Sequence, residues 1–217
     1  QTGQGGFGLW NNTDRESFWL SAYVTHFLLE AKEQGYTVSE TLLQKALKRL
    51  RRWLQSSHGF SLQETTAENY QFAAKAYAAY VLARLNRAPL GTLRNLYDHH
   101  RQHADSALPL MHLGLALKLS GDQRRAEAAI IAAMKKQRRD DHYVGDYGSQ
   151  LRDTAMILYL LNKHTVTVAG AGNLIFQLAD QMRQRRYFST QERNALFLSG
   201  LALTDGGQAW QGWLTVG

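Results

Sequence analysis

The chain has 217 residues, 44% hydrophobic and 20% charged, which suffices for one sizeable core at an ordinary globular composition. It contains no cysteine, which excludes disulfides, thiolate metal sites, a cysteine nucleophile and any thioester built from a cysteine side chain within these residues. Its formal net charge is +7, and no apolar run reaches membrane-spanning length.

Gln1-Thr2-Gly3-Gln4 has neither the basic nor the apolar region of a signal peptide, and the missing initiator methionine predicts a piece of a longer protein. Next comes a passage that recurs along the chain, a glycine/aromatic turn followed by an alanine-rich apolar helix. Gly5-Gly6-Phe7-Gly8-Leu9-Trp10 runs into Ser17–Ala31, and Ser57-His58-Gly59-Phe60 runs into Glu68–Leu85. Gly145-Asp146-Tyr147-Gly148-Ser149 runs into Leu151–Leu161, and a shorter echo, Tyr187-Phe188-Ser189-Thr190-Gln191, opens Glu192–Leu203. Such repetition predicts an array of helix pairs.

Helix starts are marked by hydroxyl residues three positions before a glutamate: Thr13 with Glu16, Thr37 with Glu40, Thr65 with Glu68, Ser189 with Glu192. With the apolar periodicity they predict helices near 14–34, 38–56, 67–86, 90–103, 105–120, 122–137, 149–163, 168–184 and 190–203. The first, third, fifth, seventh and ninth are apolar along their length. The others carry a one-sided stripe, as in Leu42, Leu43, Ala46, Leu50, Trp53 and Leu54 with Lys and Arg opposite. Buried helices alternating with shielding ones predict an all-α fold, an α/α toroid of about nine helices whose ring need not be complete. Gly114, Ala116, Ala155 and Gly200 are expected to let inner backbones approach closely. Residues 1–205 are read as this domain. Asp205-Gly206-Gly207 ends it, and 206–217, with Ala209–Val216 strand-like, reads as the start of a β module.

The basic residues cluster as Lys45, Lys48, Arg49, Arg51, Arg52; Lys135, Lys136, Arg138, Arg139; and Arg183, Arg185, Arg186. Each cluster falls near the end of a predicted helix, where cations offset the unpaired carbonyls, a better account than nucleic-acid binding. Asp98-His99-His100-Arg101-Gln102-His103 is the one histidine cluster. His99 and His103 would share a helical face as two metal ligands do, but no third ligand is identifiable and a solvated helix end is preferred. His26 and His112 read as hydrogen-bonded core histidines. Asp140-Asp141-His142 is too short for an aspartate-rich magnesium motif, and nothing singles out two of Glu64, Asp146 and Asp153 as a glycosidase pair. No catalytic residue, metal or cofactor is assigned. Arg152 and Asp153, in the first turn of a buried helix at the expected rim, are read as pairing with each other.

The wording of the repeats is similar to a known family. Gly5–Trp10, Trp19-Leu20-Ser21-Ala22-Tyr23-Val24 and Phe27-Leu28-Leu29-Glu30-Ala31 resemble the thioester-type helical domain of bacterial alpha-2-macroglobulins. Asp146–Asp153 and Ser189-Thr190-Gln191 are similar to later stretches of it, and vertebrate complement C3 carries a more distant version. The likeness spans residues 5–203 in motif order. It implies an α/α toroid in a non-enzymatic envelope protein that traps or inhibits proteases, periplasmic and membrane-anchored as a lipoprotein when full length. It also implies neighbouring β modules of the same polypeptide, target proteases and a peptidoglycan-synthesis partner. The family's Cys-x-x-Gln motif lies upstream of the Gly-Gly-Phe-Gly stretch, so this chain is without it. The complement-type histidine has no counterpart in Ser61-Leu62-Gln63-Glu64-Thr65, and His58 sits in the preceding turn. Tyr147, Arg152 and Asp153 are the candidate contacts to neighbouring modules. Two other readings stay open: an α/α-toroid enzyme on polysaccharide or isoprenoid substrates, and a helical-repeat interaction scaffold.

Overall fold

The computed structural model describes residues 1–10, 15–56, 65–138 and 145–204, with the backbone alone for 65–67. The chain divides into two compact units, Gln1–Gln150 and Leu151–Gly217. The described residues are all-α. In the first unit lie α1 (Phe18–Glu33), α2 (Glu40–Leu54), α3 (Thr65–Ala83), α4 (Leu90–His100), a 3-10 turn (Arg101–His103), α5 (Ala107–Leu119) and α6 (Gln123–Lys135). The second holds α7 (Gln150–Lys163), which begins on the last residue of the first unit, then α8 (Asn173–Arg183) and α9 (Thr190–Thr204).

In the first unit α3 packs against both α1 and α5, while α2 packs on α1 and α3, α4 on α3 and α5, and α6 on α5. This gives an inner row, α1, α3 and α5, covered by α2, α4 and α6. Sequence character follows position. Every residue of α5 from Ala107 to Leu117 is buried, and so is α3 from Ala76 to Ala83. The outer α2 buries only its stripe of Leu43, Ala46, Leu47, Leu50, Trp53 and Leu54. Its anchor is Trp53, stacked on Phe18 at 4.3 Å between ring centroids. Close approach is realised at Gly114, where an added Cβ would lie 2.7 Å from Ile130 Cγ1 and 3.2 Å from the Ala126 carbonyl oxygen. At Gly200 an added Cβ would meet no other part of the described residues within 4 Å outside its own helix backbone.

The repeats also end alike. After α1, α3, α5 and α7 a single residue turns left-handed: Gly35 (φ 83°), Asn86 (φ 56°), Gly121 (φ 86°) and Thr165 (φ 49°). The next amide then reaches back to the final helical turn: Tyr36 to Ala31 at 2.9 Å, Arg87 to Leu82 at 2.9 Å, Asp122 to Leu117 at 2.9 Å, Val166 to Leu161 at 2.8 Å. These are Schellman caps, which satisfy carbonyls the helix leaves unpaired. Glycine and asparagine adopt this geometry cheaply, whereas β-branched threonine is strained there. Thr165→Gly is therefore expected to raise stability by about 1 kcal/mol, measured by thermal unfolding.

Helix starts depart from the sequence reading in instructive ways. At α9 the capping box is complete: Ser189 N donates to Glu192 Oε2 at 2.8 Å, and Glu192 N donates to Ser189 Oγ at 3.2 Å. At α2 the cap is Ser39, not Thr37. Its hydroxyl accepts from Leu42 N at 3.4 Å, and Glu40 instead takes Lys32 at 2.7 Å and Gln44 at 2.6 Å. At α1 the cap is Ser17, and Glu16 is held by Arg49 at 2.7 Å; Thr13 lies outside the described residues. α8 begins at Asn173 rather than near 168, after Gly170 turns left-handed at φ 84°. α7 is buried from Leu151 to Leu161. The inner helix expected at α9 buries one face, leaving Phe197 and Leu201 exposed. The strand and module boundary expected after 205 lie outside the described residues.

Candidate functional site

The turn before α7 is held by its backbone and by its neighbours. Gly145 is left-handed (φ 76°), and an added Cβ would lie 3.1 Å from the Tyr70 ring, so a side chain meets both backbone strain and a neighbour there. Tyr70 comes from α3. Its hydroxyl accepts from Trp19 N at 3.3 Å and lies 3.2 Å from Ser17 Oγ, so it completes the start of α1. Asp146 is buried. Its carboxylate accepts from both terminal nitrogens of Arg138 and, at 3.2 Å, from Gly148 N. Arg138 also donates to Ser106 Oγ at 3.1 Å, and its amide donates to Gln150 Oε1 at 2.8 Å. One guanidinium thus ties this turn to the segment leading into α5.

Between the pinned Asp146 and Gly148 stands Tyr147, left-handed at φ 51°. A non-glycine residue held there marks a conformation that its surroundings impose. Its ring packs against Trp19 at 5.5 Å, yet the residue stays 39% exposed. In the second unit Arg152 and Asp153 are both buried and form an ion pair of 2.7 Å, the pairing expected for the first turn of that helix.

The two core histidines are where the apolar helices predict them. His26 Nδ1 lies 2.8 Å from the Tyr77 hydroxyl and Nε2 lies 2.9 Å from Glu30 Oε1, while Arg84 joins Glu30 at 2.7 Å. His112 stacks between Tyr77 at 4.3 Å and Tyr80 at 5.3 Å. Burial pushes the Tyr80 phenol well above its ordinary value, the nearby Arg84 charge acting in the opposite sense.

His99 and His100 are exposed at the end of α4, the helix-end placement preferred for this cluster over a metal site. α4 ends at His100 and the following turn is 3-10, which swings His103 to Glu68 at 3.2 Å and leaves His100 beside it, ring centroids 6.2 Å apart. Among the described residues no group of three His, Asp or Glu could hold a metal ion. The basic clusters behave as helix-end charges in part: Arg51, Arg52, Lys135 and Arg183 lie in last turns, whereas Arg49, Arg138 and Arg185 are taken by the carboxylates of Glu16, Asp146 and Glu192. Asp140, Asp141, His142, Glu64 and the stretch from His58 to Thr65 lie outside the described side chains. Sequence reasoning missed Tyr70 altogether. It counted Arg138 only as a helix-end charge and Glu68 only as a cap.

Helix pairs alternately buried and striped, with their polar groups spent on caps and ion pairs, define a helical-array domain. The comparisons with known proteins say which one. No family model matches the chain. It is 43% identical to the alpha-2-macroglobulin of Escherichia coli (strain K12) over 216 residues, 97% of this chain and 13% of that protein. The native conformation of E. coli alpha-2-macroglobulin, seen by cryo-EM, superposes with a TM-score of 0.89 at 43% identity, covering 94% of this chain and 13% of that one. The trypsin-activated E. coli protein gives a TM-score of 0.87 at 43% identity, over 94% of this chain and 14% of that one. The chain belongs to the bacterial alpha-2-macroglobulin family, and it spans about an eighth of the length of the relatives it matches.

Proposed function

We propose that the chain is a non-enzymatic helical module of a bacterial alpha-2-macroglobulin that traps or inhibits proteases. The observation that carries this is 43% identity across 97% of the chain. A relative of the same identity is known in a trypsin-activated state, which makes proteases the targets in this reading. In the full-length protein the module docks on neighbouring β modules and shifts when a bait segment is cut. Tyr147, exposed on a fixed turn, makes that contact directly; the buried Arg152–Asp153 pair supports it by holding the start of α7. Periplasmic location, a lipid anchor and a peptidoglycan-synthesis partner belong to the same reading, through the family resemblance.

Because the chain has no cysteine, any covalent bond to a protease must come from elsewhere in the polypeptide. The test is capture of trypsin by the full-length protein, with and without methylamine pretreatment. Protection of trypsin from a large inhibitor, lost after methylamine, marks covalent trapping by an upstream Cys-x-x-Gln. Protection that survives methylamine marks steric trapping. A protein that leaves trypsin equally open to the inhibitor overturns the reading.

A further inference from the structure

We propose that the outward face of α2 docks electrostatically on an anionic phospholipid bilayer, with Trp10 as the interfacial anchor. α2 spends its apolar stripe on the core, where Leu43, Leu47, Leu50 and Leu54 are buried. At 3.6 residues per turn, Lys45, Lys48 and Arg52 fall within an arc of about 60° on the opposite side, with about 10 Å of helix between the first and the last. All three are exposed, and so is Arg51 beside them. Lys45 and Lys48 lie mid-helix, so the unpaired carbonyls of the helix end do not account for them.

The neighbouring charges leave this ridge positive. Glu40 is taken by Lys32 and Glu16 by Arg49, each at 2.7 Å. Among the described residues no carboxylate pairs with Lys45, Lys48, Arg51 or Arg52. From Thr41 to Gln63 the sequence has five cations and no carboxylate. Were Asp14 and Glu64, the nearest acidic residues outside the described side chains, both set against the ridge, four cations would still exceed two carboxylates. A bilayer suits this face better than protein or nucleic acid does. Lysine is depleted from protein–protein interfaces. Trp53, the one aromatic residue of α2, is buried, so bases have nothing there to stack on. A fluid anionic surface needs only the charges, each of which strengthens adsorption about fivefold. The apolar contribution comes from the first turn, which rides on α2. Gln1 Nε2 donates to the Leu42 carbonyl oxygen at 3.1 Å, and an added Cβ on Gly5 would lie 2.5 Å from the Lys45 carbonyl oxygen. Leu9 and Trp10 follow on that turn and are exposed, Trp10 at 89%. Tryptophan is a residue that settles at membrane–water interfaces. The proposal concerns this face alone and is independent of protease trapping.

The probe is a phosphatidylcholine vesicle with or without about one-third phosphatidylglycerol, and adsorption of the 217-residue chain is read by flotation. Binding to the anionic vesicle is expected to be at least tenfold stronger than to the neutral one, and to weaken at least tenfold as salt rises to about 0.3 M. Replacing Lys45, Lys48 and Arg52 together by Gln should weaken it at least tenfold. Replacing Arg124, Lys135 and Lys136 by Gln removes as many exposed cations elsewhere and should leave it within about twofold. Trp10→Ser should weaken it at least threefold. Thermal unfolding establishes that each variant folds; if the α2 triple variant does not, Lys45→Gln and Lys48→Gln are measured singly, each expected to lose about fivefold. Equal binding to neutral and anionic vesicles, no binding at low salt, or binding unchanged by the α2 substitutions or by Trp10→Ser would each overturn the proposal. So would tighter binding of duplex DNA or of polyglutamate than of the anionic vesicle.

Discussion

Arg138→Met is expected to lower stability by about 3–5 kcal/mol, the cost of leaving one partner of a buried ion pair behind. The side chains of Arg138 and Asp146 are 6% and 1% exposed, so water cannot replace the lost contact. Asp146→Asn should cost a similar amount, because it leaves the guanidinium buried against a neutral amide. The double variant should lose less than the sum of the two, since neither charge then remains uncompensated, and a double-mutant cycle in denaturant measures that coupling. If the losses simply add, the pair is not acting as a unit. The functional effect follows from position. Arg138 holds Asp146, and Asp146 together with Gly148 fixes the left-handed Tyr147. Loosening the pair should therefore free Tyr147 and, on the docking role proposed for it, weaken that contact in the full-length protein.

Tyr80→Ala is the second large effect, expected at about 3–5 kcal/mol. The ring is fully buried on the face of α3 that meets α1 and α5, stacked on His112 at 5.3 Å and met edge-on by His26 at 5.5 Å. Removing it leaves a void in the middle of the inner row, with two imidazoles along its wall. Tyr80→Phe keeps the packing and isolates the hydroxyl. Burial raises the folded-state pKa of this phenol, so the stability it contributes is fully present below pH about 10 and falls as pH rises above that, where the unfolded chain ionises first. Tyr80→Phe should therefore weaken the loss of stability between pH 9 and pH 11, followed by denaturant midpoints across that range.

The sequence disclosed those features whose cause lies within one helical turn. Ser189 and Glu192 are three residues apart and satisfy each other's amides, and that box formed as read. Thr37 offered the same spacing and lost to Ser39, which is placed to cap the first helical residues while Glu40 is drawn to Lys32 across the loop. Alternation of buried and striped helices was legible because it is a property of composition along one face. The partners of Asp146 were not. Arg138 lies eight residues before it, Ser106 lies in another connection, and Tyr70 reaches the same turn from α3. Only the packing of three helices brings these together. The neighbours of His103 were hidden for a related reason: the helix was expected to run through His103, whereas the chain tightens to 3-10 after His100 and changes which rings are neighbours.

Trp19 draws three tyrosines into one aromatic group. It stands 5.4 Å from Tyr23, 5.8 Å from Tyr77 and 5.5 Å from Tyr147, three rings carried by α1, α3 and the turn before α7. At such separations tyrosine excitation is expected to pass to the buried indole, so Trp19 emission should depend on these contacts. Displacement of the Tyr147 turn lengthens one of the three separations, and a Tyr147→Leu variant isolates that tyrosine's share of the transfer. The chain holds five tryptophans, so the Trp19 share is read as the difference from a Trp19→Phe variant, and it reports any movement of this turn from the chain's own side chains.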